Sequence, residues 1–310
     1  VDLVCEQLRE RSAHLQHEKG LMELLPIPLY GGLPSQDQMK AFDVAPNGMR
    51  KAIIATNIAE ASVTIDGVVF VVDCGFVKAK GYSPATGIES LVVAPVSRAS
   101  ANQRAGRAGR MQSGKAYRLY TEEAYTNDLP ATNIPEMQRS NLAGVILQMK
   151  ALGIDNVLRF PFLSPPPAQS MVRGLELLHA LGALDNDSKL TEPLGIQMSE
   201  FPLDPMMAKM LLSSGKFQCS HEIVTIAAML QVQHVFVSPP NKRGAANRAK
   251  LHFSCHEGDH MTLLNVYLAF VQKAKSAQWC AQNFLNYRSL SRAHEIRSQL
   301  LQYLRRFGIP

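Results

Sequence analysis

Strand-like and helix-like segments alternate along this chain as far as about Tyr125, and then the strands nearly vanish. That switch constrains the fold more than any single residue does. Alternating strands and helices build a parallel sheet covered by helices, whereas a rear half of helices alone builds a bundle. In the front half, Val1, Val4, Cys5 and Leu8 mark one face of an opening helix. Ile27-Pro28-Leu29-Tyr30 reads as a short strand entering a Gly31-Gly32 turn. Pro34 suits the first turn of a helix carrying Met39 and Phe42. Residues 51–55, 68–72 and 114–120 read as further strands. The 68–72 run is wholly apolar and mostly β-branched, the pattern of a strand buried on both faces. Residues 78–84 and 88–93 break the alternation and are expected to pair as a protruding hairpin.

In the rear half, Pro135 is expected to open a helix whose Leu142, Val145, Ile146 and Met149 share a face, with Gly153 as its stop. Pro165-Pro166-Pro167 is a stiff link into a helix carrying Met171, Leu175 and Leu178. Residues 190–195 fit the small wing of a winged-helix fold. Asp204-Pro205 is a good N-cap and first-turn pair for a helix expected to stop at Gly215. Residues 220–231, 259–275 and 289–307 fit further helices. Trp279 and Tyr287 are expected in the core where two of them join.

The 310 residues, 46% of them hydrophobic, supply ample core for two or three domains. Lys and Arg exceed Asp and Glu by 32 to 26, a net charge of +6 that permits an acidic partner without requiring one. No apolar run approaches the roughly 18 residues a membrane helix needs. The chain begins without a charged-then-apolar leader, so no secretory signal is expected, and the absence of an initiator Met points to a natural start elsewhere. Five scattered cysteines fit reduced thiols of an intracellular compartment better than a disulfide frame.

Chemistry concentrates in Gln103-Arg104-Ala105-Gly106-Arg107-Ala108-Gly109-Arg110. On a continuous helix, Gln103, Arg107 and Arg110 point the same way. Gly106 and Gly109 each cost about 1 kcal/mol relative to Ala in a helix interior, so close approach of another surface or a ligand is expected there. Two guanidinium forks beside a glutamine suit phosphate oxygens and an attacking water. Residues 90–121 hold six basic side chains and no acidic one. A solvated basic helix is the plainer alternative. A second segment, residues 55–67, follows the carboxyl end of a strand, where open α/β sheets bind ligands. Glu60 within it has no evident acid/base partner. His252, Cys255, His256 and His260 lie close in sequence but lack a CxxC pair, so no metal site is expected. Arg288, Arg292, Arg297, Arg305 and Arg306 make the last helix basic, either a solvated face or a nucleic-acid-facing side.

Both segments, in this order, resemble motifs V and VI of the DEAH-box helicases. The likeness extends through Leu29-Tyr30-Gly31-Gly32-Leu33-Pro34, Leu119-Tyr120-Thr121-Glu122-Glu123-Ala124, Glu200-Phe201-Pro202-Leu203-Asp204-Pro205-Met206, Gly258-Asp259-His260 and Phe284-Leu285-Asn286-Tyr287. It is strongest toward members that act in pre-mRNA splicing, although Ala61 stands where a threonine is usual in motif V. The resemblance implies an α/β RecA-like second lobe (residues 1–128), a winged helix (129–199) and an all-α helical "ratchet" bundle (200–310). It implies that Gln103, Arg107 and Arg110 face the ATP phosphates and Phe42 packs on the adenine. Thr64 and Asp66 would contact nucleotide, and Ser62 would couple the two sites. Gly31, Gly32, Thr56, Asn57, Lys78 and Lys80 would face single-stranded RNA. It further implies nuclear spliceosomal partners and a glycine-rich "G-patch" activator.

No Gly-x-x-x-x-Gly-Lys-Ser/Thr and no Asp-Glu-Ala-His occurs; the Gly-Lys pairs lead into Ala116 and Phe217. The phosphate cradle and the Mg²⁺ ligands are therefore expected on a first RecA-like lobe N-terminal to Val1, and an OB-fold domain beyond Pro310. The isolated chain is expected to have negligible ATPase activity. The alternative reading is a non-enzymatic ribonucleoprotein scaffold with an idle ATP site.

Overall fold

The computed structural model describes residues 1–15, 21–239 and 242–309. The chain divides into two compact units, Val1–Ser140 and Asn141–Pro310.

The first unit is α/β. Helix α1 (Asp2–Leu15) precedes β1 (Glu23–Leu29), α2 (Ser35–Met39), β2 (Met49–Ala55), the single-turn α3 (Ile58–Ala61) and β3 (Phe70–Asp73). The hairpin β4 (Phe76–Ser83) and β5 (Ile88–Pro95) follows, then α4 (Arg98–Gly106) and β6 (Lys115–Arg118). Strands β1 and β2 pair in parallel from Glu23↔Met49 to Leu29↔Ala55. Strands β3 and β6 form a second parallel pair, and β4 and β5 pair antiparallel. The expected single parallel sheet is thus two parallel pairs plus the expected hairpin.

Strand β1 is suited to an edge. Pro26 and Pro28 lack N–H groups on the side away from β2. The Pro26 carbonyl on that side accepts from Arg9 Nη2 at 3.1 Å, while the Leu29 carbonyl accepts from the Thr56 N–H at 3.1 Å. Strand β3 departs from expectation. Phe70 and Val72 are 53% and 66% exposed, because no described element of the unit covers their face. In α1, Cys5 is buried but Val4 is exposed, so the apolar stripe is narrower than the sequence predicts. Pro34 caps α2 from outside, and Phe42 lies beyond its end.

The second unit is helical: α5 (Ala143–Ala151), α6 (Ala168–Ala180), α7 (Leu194–Glu200), α8 (Pro205–Ser213) and α9 (Ser220–Leu230), then α10 (Arg243–Leu251), α11 (Asp259–Gln272), α12 (Ala277–Gln282) and α13 (Tyr287–Arg306). One apolar core runs from Leu142, just before α5, to Leu304 on α13, and a second gathers Val266, Phe270, Cys280 and Leu290. Asp204 caps α8 through Oδ1 accepting from Met206 N–H at 2.9 Å, with Pro205 at the first position.

Several predicted boundaries move. Pro135 opens only a 3₁₀ turn, Glu136–Gln138, and α5 starts at Ala143 with Val145 facing outward at 52% exposure. The wing reduces to one antiparallel bridge, Leu184↔Leu190, because Leu194 and Gly195 are drawn into α7. Gly195 is needed there: a Cβ would lie 2.3 Å from the Ala183 carbonyl oxygen. Helix α8 gives way to a 3₁₀ turn before Gly215, and left-handed Gln218 ends that turn. Tyr287 is 42% exposed instead of buried, whereas Trp279 packs edge-on to Phe253 at 6.1 Å.

Candidate functional site

Helix α4 is anchored at its start. Ser97 Oγ accepts from the Ser100 N–H at 3.1 Å, and the Arg98 and Ala99 N–H groups donate to the Pro130 and Ala131 carbonyls at 2.8 and 3.1 Å. Asn133 Nδ2 adds a 2.9 Å bond to Ser100 Oγ. Three of the N–H groups a helix start leaves unpaired are thereby satisfied. The fixed start sets where the later arginines emerge.

The helix stops at Gly106, with Arg107 as its C-cap. Arg110 therefore lies outside it, and the expected single face of Gln103, Arg107 and Arg110 is not formed by a continuous helix. The glycines account for this, since each weakens helix continuation. Among the described residues, neither Gly106 nor Gly109 has a neighbour within 4 Å of where a Cβ would sit, so the expected close approach is not made by them. The tight glycine is Gly114, whose Cβ would meet the Ala108 and Val69 carbonyl oxygens at 2.2 and 2.4 Å. It lets the end of the arginine segment pack directly against the backbone leading into β3.

Arg107 and Arg110 reach the segment after α3. Arg107 Nε donates to the Glu60 carbonyl at 2.8 Å, its Nη2 donates to the same oxygen, and its Nη1 donates to the Val63 carbonyl at 3.2 Å. The Glu60 carbonyl is one that the end of a helical turn leaves without a partner. Arg110 Nη1 donates to Thr64 Oγ1 at 2.7 Å. Two cationic forks thus stand beside a hydroxyl, with Ser62 and Asp66 exposed on the same loop and Gln103 exposed on α4. Cationic and hydroxyl donors suit phosphate oxygens.

Arg104, i−3 from Arg107, points elsewhere. Its Nε donates to Glu60 Oε2 at 3.0 Å, and its Nη1 donates to Asp73 Oδ1 at 2.7 Å and to the Phe76 carbonyl at 3.3 Å. Asp73 is also held by Tyr120 Oη, at 3.2 Å, and by the Gly75 N–H, at 3.0 Å. Burial works against the Arg104 charge, but hydrogen bonds and attraction from Asp73 and Glu60 outweigh it and push the guanidinium pKa up. Burial, then the Asp73 charge, raises the Tyr120 phenol. This cluster was not predicted. Its only sequence traces are an aspartate closing the apolar β3 and an arginine in an acid-free stretch.

A second exposed group sits at the carboxyl ends of β1 and β2. Gly31 and Gly32 follow β1, and Thr56 and Asn57 follow β2 and lead into α3. Phe42 is 40% exposed and is flanked by a clamp: Lys51 Nζ donates to the Ala41 and Asp43 carbonyls at 2.9 and 2.5 Å. On the hairpin, Lys78 is exposed, whereas Lys80 pairs with Glu89 at 2.8 Å. Among the described residues, no hydrogen bond joins Phe42 or Lys78 to the arginine segment. In the helical unit, Cys255 Sγ donates to Glu257, and the described residues hold no group of three or more His, Cys, Asp or Glu side chains placed to bind a metal. The arginines of α13 are partly spoken for: Arg292 pairs with Glu295 at 3.0 Å, Arg306 with Glu200, and Arg297 donates to Thr225 Oγ1 at 2.8 Å.

Residues 3–112 match the helicase conserved C-terminal domain. Residues 174–203 match the winged-helix part of the helicase associated domain, and residues 204–263 its ratchet-like part. The chain belongs to the DEAH-box helicase family, as a RecA-like second lobe followed by winged-helix and helical domains. It is 58% identical over 310 residues to the "Probable ATP-dependent RNA helicase DHX35" of Pongo abelii, and equally to that of Homo sapiens. It is 52% identical over 309 residues to the DHX35 homolog of Caenorhabditis elegans. These alignments cover 100% of this chain but 43%, 44% and 42% of the respective relatives, so the chain spans less than half their length.

Proposed function

We propose that this chain is the second half of an ATP-dependent RNA helicase of the 3′→5′ DEAH type, serving nuclear pre-mRNA splicing. The domains run 1–128, 129–199 and 200–310. A first lobe carrying the P-loop supplies the phosphate cradle and the Mg²⁺ ligands. The groups this chain gathers are mainly guanidinium and hydroxyl donors, which suit phosphate and ribose oxygens.

In this reading, Arg107 and Arg110 leave the 60–64 segment when the lobes close and turn to the γ-phosphate, with Gln103 orienting the attacking water. Phe42 packs on the adenine, Thr64 and Asp66 contact nucleotide, and Ser62 relays between sites. Gly31, Gly32, Thr56, Asn57 and Lys78 hold the backbone of single-stranded RNA, so sequence preference is weak. Lys80 contributes less, since Glu89 neutralises it. A G-patch protein and spliceosomal proteins are the partners, and an OB-fold domain completes the polypeptide.

The observation that carries this is the meeting of Arg107 and Arg110 with Glu60, Val63 and Thr64. In the full-length protein, Arg107→Ala is expected to lower RNA-stimulated ATP turnover by roughly 10³-fold, as loss of an arginine finger does. Turnover at the wild-type rate would favour the scaffold with an idle site.

A further inference from the structure

We infer that Glu60 and Arg104 are positioning residues that tie the RNA-facing end of α3 to the phosphate-facing arginines. This rests on the function proposed above and adds to it the part that links RNA binding to hydrolysis.

Glu60 is held twice. Its carboxylate takes Arg104 Nε at 3.0 Å, and its carbonyl takes Arg107 Nε at 2.8 Å. The other end of the same helical turn is Asn57, preceded by Thr56, on the exposed edge. The turn is closed by the Glu60 N–H donating to the Asn57 carbonyl at 3.0 Å and the Ala59 N–H to the Thr56 carbonyl at 3.2 Å. A push on Thr56 and Asn57 therefore reaches Glu60 with little loss.

What the push does at Glu60 depends on Arg104. Its guanidinium is anchored to Asp73 at 2.7 Å and to the Phe76 carbonyl at 3.3 Å, at the junction of β3 and β4. The three side chains are 15%, 12% and 3% exposed for Arg104, Glu60 and Asp73, so solvent screens them weakly. Arg104 and its helix are thereby held to the sheet while α3 bears on Glu60. The contacts left to break are those from Arg107 to the Glu60 and Val63 carbonyls. Movement at the RNA edge then frees Arg107 instead of dragging all of α4. A lysine cannot replace Arg104, because one ammonium lacks the planar fork that spans two carboxylates.

The test uses the full-length protein with single-stranded RNA and ATP. It reads the ratio of ATP turnover with and without saturating RNA, the RNA Kd, the ATP KM and the Tm. Glu60→Ala and Arg104→Lys are expected to lower the stimulation ratio by about ten-fold, within the usual range of coupling between sites. The RNA Kd should hold within about two-fold, which a merely structural defect would not spare. Glu60→Gln keeps an acceptor oxygen for Arg104 and should retain more of the ratio than Glu60→Ala. It also carries the test if Glu60→Ala fails to fold. An unchanged ratio in these variants, or equal falls in stimulated and unstimulated rates, overturns the inference. If Arg107→Ala abolishes turnover while the Glu60 variants keep the wild-type ratio, the coupling role alone fails. If Arg107→Ala is also silent, the proposed function fails with it.

Discussion

In the helical unit, Ile146, Leu178, Leu211 and Leu300, from four different helices, are enclosed in one apolar core. Among the described residues, the α/β unit has two small apolar clusters, one around Ile27, Leu29 and Ala41, the other around Val96, Ala101 and Leu129. It leaves Phe70, Val72, Leu91 and Val93 exposed. Its best-defined junction is polar: three arginines of one segment gripping the region of Glu60. Apolar packing is non-directional and tolerates volume-conserving exchange. Forked hydrogen bonds fix direction as well as distance. One unit is built to stay closed, and the other is held by contacts that can be exchanged for a ligand's.

The largest effect is expected on the apolar side of this contrast. Phe201 is 2% exposed and packs on Tyr303 and Phe307 at ring distances of 5.3 and 5.5 Å. Phe201→Ala should cost about 3–5 kcal/mol in chemical denaturation of the helical unit. A cost below about 1 kcal/mol would mean that this core tolerates a cavity and is loosely packed. On the polar side, Asp73→Ala takes from Arg104 one of its two carboxylates, leaving Glu60 and the Phe76 carbonyl, and should cost about 1–3 kcal/mol. Hydrogen exchange should show the loss around β3 and α4 while α13 amides keep their protection; equal loss in both units would break the contrast.

The glycines sharpen it further. Gly114→Ala drives a Cβ into two backbone carbonyls and should destabilise by about 1–3 kcal/mol. Gly106→Ala meets open space and should stabilise this chain by about 0.5–1 kcal/mol in a melting experiment.

The smallest expected effect is a pH dependence in the helical unit. Lys275 Nζ donates to His294 Nε2 at 2.8 Å, so the ring proton sits on Nδ1, which meets Tyr267 Oη at 2.6 Å. Burial, then the charges of Lys275 and Arg297, lower the His294 pKa. A depressed histidine means the unfolded chain binds the proton first. The contribution is therefore full above the ordinary value of about 6.5 and is lost as pH falls below it. Tm should fall as pH is lowered through about 6.5. His294→Gln should flatten that slope, and an unaltered slope would remove His294 from the account.

The fold was legible where local chemistry decides it. Asp204-Pro205 opens α8 because cap and first-turn preferences act within three residues, and the hairpin follows from its turn chemistry. The exposed face of β3 was not legible, because a β-branched run records what a strand can bury and not what covers it. The end of α4 at Gly106 was missed by carrying a helical period past two weak residues, and α10 and α12 were missed because short helices carry little periodic signal. At the candidate site, the arginines are legible from residue type, whereas Thr64 follows only from the family resemblance. The Arg104 contacts to Glu60 and Asp73 span 44 and 31 residues of sequence, and pairing at that separation leaves no local pattern.

The free edge of β1 has a consequence for the chain outside its own fold. An unprotected edge strand invites another chain to add a strand, the first step toward aggregation. Pro26 and Pro28 remove two donors from that edge, and Arg9 already occupies the Pro26 carbonyl. A second molecule meeting this edge finds two donors missing and one acceptor taken, so intermolecular strand addition is discouraged there.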